Sequence, residues 1–393
     1  MRVVGVCKVL VALALSVSPL LAVADNCTEN SEAPDSLYNV TTTSIGDSIA
    51  DIKAVPAKPL PGNWITQLLA SGFHINDPRI NYPSFARWLV KVYNWGDRTF
   101  NSYDSEYVVG TGRNWKAIVS NYLWSRTYVM HFNDNSLMHI SSKLYYDIGA
   151  NVNFMAVGVG YTFKINDQSG DNITRHRFDL SFTCSKFASS FTTQKVNGGA
   201  IIRKFGDYND GKRLSYDFND IDIDNTSFDL YYFFNNRKYS QAAAYCYSKY
   251  QLKSAGSWIL GFNYLKQNIN MNFENLPPDM IASIPSLERQ YSFSHTDYNV
   301  LGGYAYNWVL RPKIWLINIT VLPSLGYKHS SESSASIRDL LSTNIEGLGA
   351  VVYNHDWMFS SLSVRFNGYV NFGKSYTFFN SNQLFTLNFG VRF

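Results

Sequence analysis

The sequence predicts an all-β chain: a transmembrane antiparallel up-and-down β-barrel of about twelve strands, with ten and fourteen as the neighbouring even counts, behind a short helical pre-barrel segment. Three observations predict it. Aromatic residues make up 16% of the chain and charged residues only 16%, where a soluble domain carries about 25% charge. No stretch after residue 24 approaches the ~18–20 uninterrupted apolar residues of a transmembrane helix. From about residue 115 onward, apolar residues recur at every second position, the period of a strand with one greasy face. A large secreted β-sandwich or propeller shares the composition and is the alternative.

The elements follow in order. Arg2 and Lys8 accompany the apolar run "VLVALALSVSPLLAVA", which closes on Ala22-Val23-Ala24. A basic start, an apolar core and an A-x-A end make residues 1–24 a secretory signal cut after Ala24. Cys27 follows two polar residues, Asp25 and Asn26, which argues against a lipidation site. Residues 25–63 are polar, hold Pro34, Pro56, Pro59 and Pro61, show no periodicity and read as a tail or linker. Residues 64–114 are a pre-barrel periplasmic segment. Within it "YPSFARWLVKVYNW" places Phe85, Trp88, Leu89, Val92 and Tyr93 at helical spacing after Pro83-Ser84. Such a helix either packs on the base of the barrel or lies on a membrane surface.

The barrel itself occupies residues 115–393. In "FMAVGVGYTF", Met155, Val157, Val159, Tyr161 and Phe163 share one face; in "RHRFDLSFTCS", Phe178, Leu180 and Phe182 oppose Arg177 and Asp179. "SFDLYYFF" aligns Phe228, Leu230, Tyr232 and Phe234, and "SWILGFNY" aligns Trp258, Leu260, Phe262 and Tyr264. "GGYAYNWVL" and "IWLINITVLPSLGY" continue the pattern through Trp308 and Trp315 to Tyr327; "MFSSLSVRFNGYVNF" sets Leu362, Val364 and Phe366 against Ser363 and Arg365. The stretch "KYSQAAAYCYSKYQLKSAG" reads as a strand or as a connection holding a short helix. "VLRPKI" and "NHD" are tight turns, whereas residues 206–226, 271–296 and 329–341 are long and polar, so turns and loops segregate to opposite ends.

Two details favour lipid over a protein core. Aromatics gather toward strand ends, which makes Trp258, Trp308, Trp315, Tyr327 and Phe393 candidates for the interfacial girdles. The opposite face carries Arg177, Asp179, Asp229, Glu346 and Arg365 inside strong strands. A basic side chain facing lipid near the midplane costs about 2–4 kcal/mol, so the alternation assigns these charges to the lumen. They form either a selectivity constriction for a small solute or a neutralising network that fills a narrow barrel.

The last ten residues, "LFTLNFGVRF", alternate perfectly and stop on Phe393. This strand resembles the C-terminal signal of outer-membrane barrels, which the barrel-assembly machinery recognises, and so implies export to the outer membrane of a Gram-negative bacterium. A second resemblance covers about residues 98–393. Its cues are "YYFFNNRKYS" with the following alanines, "KSAGSWILG", and "EYVVGTGRNW". These are similar to an uncharacterised family of outer-membrane proteins from Bacteroides-type bacteria, domain of unknown function 4421. The resemblance implies a barrel and brings no catalytic residues.

Other chemistries find little support. A net charge of +4 with no basic stripe argues against nucleic acid. Asp220, Asp222 and Asp224 alternate as in calcium loops, but Asn225 and Tyr231 stand where an EF-hand wants Gly and Glu, so no metal or other cofactor is expected. Cys27, Cys184 and Cys246 are too few and too far apart for a disulfide framework. Asn318, although in a sequon, falls mid-strand. His131 is a candidate lumen histidine, and His295 lies near Ser292 and Ser294, the one hint of a lipid hydrolase, yet no G-x-S-x-G or H-E-x-x-H pattern marks a site. Three roles remain: a small-solute channel or surface-binding protein in contact with outer-membrane lipid, a lipid hydrolase, or an envelope scaffold holding periplasmic partners through residues 64–114.

Overall fold

A computed structural model describes residues 58–72, 74–100, 102–164, 174–285, 287–330, 341–372 and 376–393. The signal region, Cys27 and the sequons at Asn26, Asn39 and Asn172 lie outside the described residues. The elements are α1 (Trp64–Ala70), α2 (Ser84–Phe100), β1 (Val108–Gly110), β2 (Trp115–Phe132), β3 (Leu137–Ser142), β4 (Tyr145–Phe154), β5 (Val157–Lys164), β6 (Thr174–Thr183), β7 (Phe187–Asn197), β8 (Ala200–Phe205), β9 (Tyr216–Phe218) and β10 (Ile221–Phe233). The chain continues with α3 (Gln241–Tyr245), β11 (Lys249–Gln251), β12 (Ala255–Asn272), α4 (Pro278–Ala282), β13 (Gln290–Arg311), β14 (Trp315–Ser330), β15 (Leu341–His355), β16 (Met358–Phe372) and β17 (Tyr376–Arg392).

Twelve strands close a continuous antiparallel barrel in the order β2, β4, β5, β6, β7, β10, β12 through β17, and β17 pairs back onto β2. Closure leaves no free edge, the condition for a sheet to cross a bilayer. The seam is tied at its end by Trp115 N donating to Phe393 O at 2.9 Å and Phe393 N to Trp115 O at 3.0 Å. No helix among the described residues is long and apolar enough to cross a membrane.

The two ends differ. At one, strands meet in tight turns, as at Asp356-Trp357 and at Met155-Ala156, where Met155 adopts a left-handed φ of 53° and so stands in the turn, off the strand face to which periodicity assigned it. At the other, the connections carry β3, β8, β9 and α4. Segments 206–226 and 271–296, which read as loops, are in part strand: β10 starts at Ile221 and β13 at Gln290. The stretch 238–251 resolves the other way, into α3 and β11.

Cross-strand register exposes why. On the outward face, Phe191, Phe228, Tyr264, Tyr298 and Tyr327 form one rung across β7, β10, β12, β13 and β14. On the turn side of that rung the outward residues are apolar: Leu230, Phe262, Val300 and Leu325 stand side by side and exposed. On the loop side they become polar at once: Thr193, Thr226, Lys266, Thr296 and His329 form the next rung. The apolar band ends toward the turns on Trp258, Trp308, Trp315 and Phe393. Trp315 and Tyr327 are twelve positions apart, roughly 30 Å along the barrel axis for a strand tilted about 40°, which matches a hydrocarbon core with its interfaces. The girdle candidates therefore sit at the two margins of one apolar band.

Candidate functional site: a lumen closed at both ends

Three layers fill the interior. At the turn end, the chain leaving β10 folds back into the barrel instead of turning tightly. Ser240 caps α3 by accepting from Ala243 N at 3.3 Å, and Ala242, Ala243 and Ala244 are small enough for the helix to lie against the wall. The wall supplies inward amides for the buried backbone and hydroxyls of this plug. Asn307 Nδ2 donates to Ser240 O and to Gln251 Oε1, both at 3.0 Å. Asn318 Nδ2 donates to Tyr239 Oη at 3.2 Å, and Tyr245 Oη donates to Asn318 Oδ1 at 2.7 Å. Asn318 is fully buried, consistent with its mid-strand reading. Tyr247 sits at a left-handed φ of 58°, a conformation that costs a tyrosine about 1–2 kcal/mol. It is held there by Ser361 Oγ at 2.6 Å, by Asn388 Nδ2 at 3.0 Å, and by Arg392 Nε donating to its carbonyl at 2.8 Å. Arg392 also spans to Asn354 and lies 4.5 Å over the Phe359 ring. From outside, β1 pairs with β11, Val108 opposite Gln251, so the pre-barrel segment clamps the plug.

The middle layer is polar and gathers the predicted lumen charges. Arg177 Nε lies 2.8 Å from Asp179 Oδ2, and Thr192 Oγ1 donates to Asp179 at 2.7 Å. Asp229 accepts from Asn263 Nδ2 at 2.7 Å and Ser190 Oγ at 3.1 Å. Glu346 accepts from Tyr231 Oη at 2.8 Å and faces Arg365 Nε at 3.7 Å. Arg177, Asp229, Glu346 and Arg365 line one cavity with Arg126, Asn367 and Asn380. Its volume is about 70 Å³, room for a few waters rather than a hydrated solute. All five predicted charges therefore face inward, four of them onto one cavity.

Sequence reasoning missed several partners. Asp147 and Arg175 form a buried pair at 2.9 Å, with Trp124 Nε1 donating to Asp147 at 2.6 Å and Arg175 stacked 4.5 Å over Tyr145. Lys116, Arg126, Asp297 and Lys328 are likewise inward and buried. The signal was the inward phase they share with neighbours already read, such as Arg175 with Arg177.

At the loop end an apolar cap closes the mouth. Inward-facing Tyr128, Met130, Phe132, Ile223, Ile269, Met271 and Phe378 pack with Met138, Ile140, Ile202, Phe205 and Phe218 of the outer strands and with Met280 of α4. Each of these is at most 6% exposed, so the cap is dry.

Two predicted arrangements do not assemble. His131 points outward and is exposed, because on β2 it is the even positions, Tyr128 to Phe132, that face the interior. His295 points inward, whereas Ser292 and Ser294 face outward and donate to Asn270 and Asn268, each at 2.7 Å. The carboxylate near His295, Asp297 at 3.8 Å, instead accepts from Ser342 at 3.1 Å. No Ser–His contact forms in this cluster. The three aspartates do not converge either. Asp222 and Asp224 lie on β10, facing Asn197 at 2.5 Å and Lys195 at 3.2 Å, while Asp220 accepts from Asn275 at 2.9 Å. Cys184 and Cys246 are free.

The exterior beyond the aromatic rung is the other candidate surface. Register aligns Lys195, Asp224, Asn268 and Ser294 in one row and Asn197, Asp222, Asn270 and Ser292 in the next. Lys195, Asn197, Asp222, Asp224, Asn268 and Asn270 line an open groove on this flank.

A model of the family described as Domain of unknown function (DUF4421) matches residues 102–393. No curated protein matches the chain. Among solved structures, the outer-membrane protein OmpT of Vibrio cholerae is 7% identical, with 69% of this chain and 98% of that one covered at a TM-score of 0.26. The outer-membrane protease OmpT of Escherichia coli is 6% identical, covering 74% and 100% at 0.31. The β-domain of the Bordetella autotransporter BrkA is 8% identical, covering 70% and 99% at 0.32. At such scores no activity of these proteins transfers to this chain.

Proposed function

We propose, from the premise that this chain belongs to the DUF4421 family, that it is a non-conducting barrel of the Gram-negative outer membrane whose work is to bind glycan at its loop-end flank. The observation that carries this reading is the filling of the lumen by the α3 plug and the apolar cap, with a cavity of about 70 Å³ between them. A resting channel needs a continuous water path, and a buried plug at one end with a buried apolar cap at the other opposes one. The lumen charges then serve as a neutralising network rather than a selectivity filter. The secretory signature before residue 25, the apolar band and the terminal aromatic strand support the outer membrane, with β17 as the strand offered to the barrel-assembly machinery.

With the interior closed, chemistry is left to the outside. The paired rows of amide, carboxylate, hydroxyl and ammonium groups on β7, β10, β12 and β13 stand two and three rungs beyond the aromatic rung. Planar arrays of such groups suit polyhydroxylated ligands, which offer many donors and acceptors and little charge. Four strands about 4.8 Å apart give a row long enough for two to three sugar units.

The test is retention of purified full-length protein, in detergent, on immobilised lipopolysaccharide-derived oligosaccharide. Retention that falls at least tenfold in the Asn197→Leu, Asn268→Leu, Asn270→Leu variant supports the reading. Equal retention by both proteins, or none by either, sinks it.

A further inference from the structure

α2 carries an apolar face that is largely exposed, with the Trp64 ring of α1 meeting Phe85 edge-on at 6.1 Å. Phe85, Trp88, Leu89, Val92 and Trp95 are 43–64% exposed. At 100° per residue they share a stripe roughly 120° wide. The opposite flank faces the protein: Ala86 is buried, and Asn94 exchanges hydrogen bonds with Asn76 at 2.7 and 3.2 Å. Between the two runs a third strip, Arg87, Lys91 and Arg98, all exposed. The helix thus has a protein side, a cationic strip and an exposed apolar stripe holding two tryptophans.

Its position ties this stripe to the lipid band. Tyr93, on the protein side, lines a cleft with Arg113, Asn114, Met155, Ala156 and Thr183. Those residues are the turn-end tips of β2, β4, β5 and β6, and the flanking outward residues Val157 and Phe182 are exposed members of the apolar band. α2 therefore stands at the rim where the band begins. A cationic strip beside an apolar stripe with tryptophans at the margin is the pattern of a helix lying in a bilayer interface.

We propose that α2 lies in the periplasmic leaflet, its tryptophan stripe among acyl chains and Arg87, Lys91 and Arg98 on the phosphates of anionic phospholipid. This rests on the membrane-barrel reading. It makes the pre-barrel segment a lipid anchor that holds β1, and through β1 the plug, against the turn end of the barrel.

Spin labels at Val92→Cys and, separately, Arg87→Cys test it, in full-length protein whose native cysteines are replaced by serine. The protein is placed in phosphatidylethanolamine–phosphatidylglycerol vesicles, and insertion is scored by faster migration of the unboiled protein on a denaturing gel. The expected result is a several-fold rise in the ratio of oxygen to nickel-complex accessibility at position 92 and none at position 87. Lys91→Gln lowers the docked-to-free ratio of the helix by roughly fivefold. In the native-cysteine chain, brominated phospholipid quenches the wild type more than the Trp88→Phe, Trp95→Phe variant. A gel-shifted barrel whose position 92 stays open to nickel overturns the proposal alone. So does protection of position 92 from both reagents, which means that protein covers the stripe. A barrel that does not shift overturns it together with the membrane reading.

Discussion

Asp147 and Arg175 are held 2.9 Å apart with their side chains 5% and 3% exposed. Removing Arg175 leaves the Asp147 carboxylate buried without that cation, which costs about 3–5 kcal/mol. Arg175→Met is therefore expected to lower the urea midpoint of the folded barrel far more than Lys195→Met, whose partner Asp224 is solvent-facing. A different cost attaches to the outward face: Val321→Arg, within the apolar band, is expected to destabilise the barrel in vesicles by about 2–4 kcal/mol. At the turn end, Arg113 binds Asp356 at 2.9 Å and holds its carboxyl below the ordinary carboxylate range. A depressed carboxylate contributes above its unfolded value and loses that contribution as pH falls through its folded one. Hydrogen exchange in residues 107–114, corrected for the intrinsic pH dependence of amide exchange, is thus expected to stay flat on acidification to about pH 4 and to rise only below it. A rise already near pH 5 contradicts the pair. Residues such as Arg177 and Glu346 were legible because each interrupts a strong alternation. Asp147 was not, because its strand is punctuated by Gly149, Ala150 and Asn151 and the alternation there is weak.

Strands lose their sequence signature where their environment inverts. Along β10 and β12 the outward residues are apolar up to Phe228 and Tyr264; beyond them Asp224, Asp222, Asn268 and Asn270 face out, while Ile223, Ile221, Ile269 and Met271 face in. The period of two continues, but the hydrophobic phase flips where the strand leaves the bilayer and meets the cap. A reading that follows one apolar face stops at the flip and calls the remainder loop, and the same flip hides the orientation of His131. The plug escaped for a related reason. Its partners are Asn307, Asn318 and Asn388, which look in sequence like ordinary lumen amides. One element carries its own test: β13 passes β14 with Gly302-Gly303 between the paired positions Leu301↔Ser324 and Tyr304↔Val321, opposite the region of Pro323. A Cβ on Gly303 would stand 2.0 Å from the Val321 carbonyl oxygen. Gly303→Ala is therefore expected to destabilise the barrel by about 1–3 kcal/mol, whereas Gly302→Ala, with open space around it, is expected to be mild. Equal unfolding midpoints for the two variants contradict that geometry.

At the scale of the molecule, two closures and a polar middle divide the work of one barrel. The dry cap and the plug close the ends, and the charged layer between them pairs its carboxylates with its own side chains while Arg126 Nε, Asn344 Oδ1 and Asn382 Oδ1 stay without a protein partner. What remains available is the exterior, an apolar band and a polar flank beyond it. The sequence conveyed the barrel and its approximate strand count, because these depend on a period of two. Whether the barrel is open could not be read there, since a pore-lining asparagine and a plug-binding asparagine are the same letter. The central claim is that closure, and planar-bilayer conductance tests it most directly. Purified full-length protein is expected to insert without conducting, while a variant in which a short glycine-serine turn replaces residues 239–251 conducts in discrete steps. Steady ohmic conductance from the unaltered chain would contradict the account.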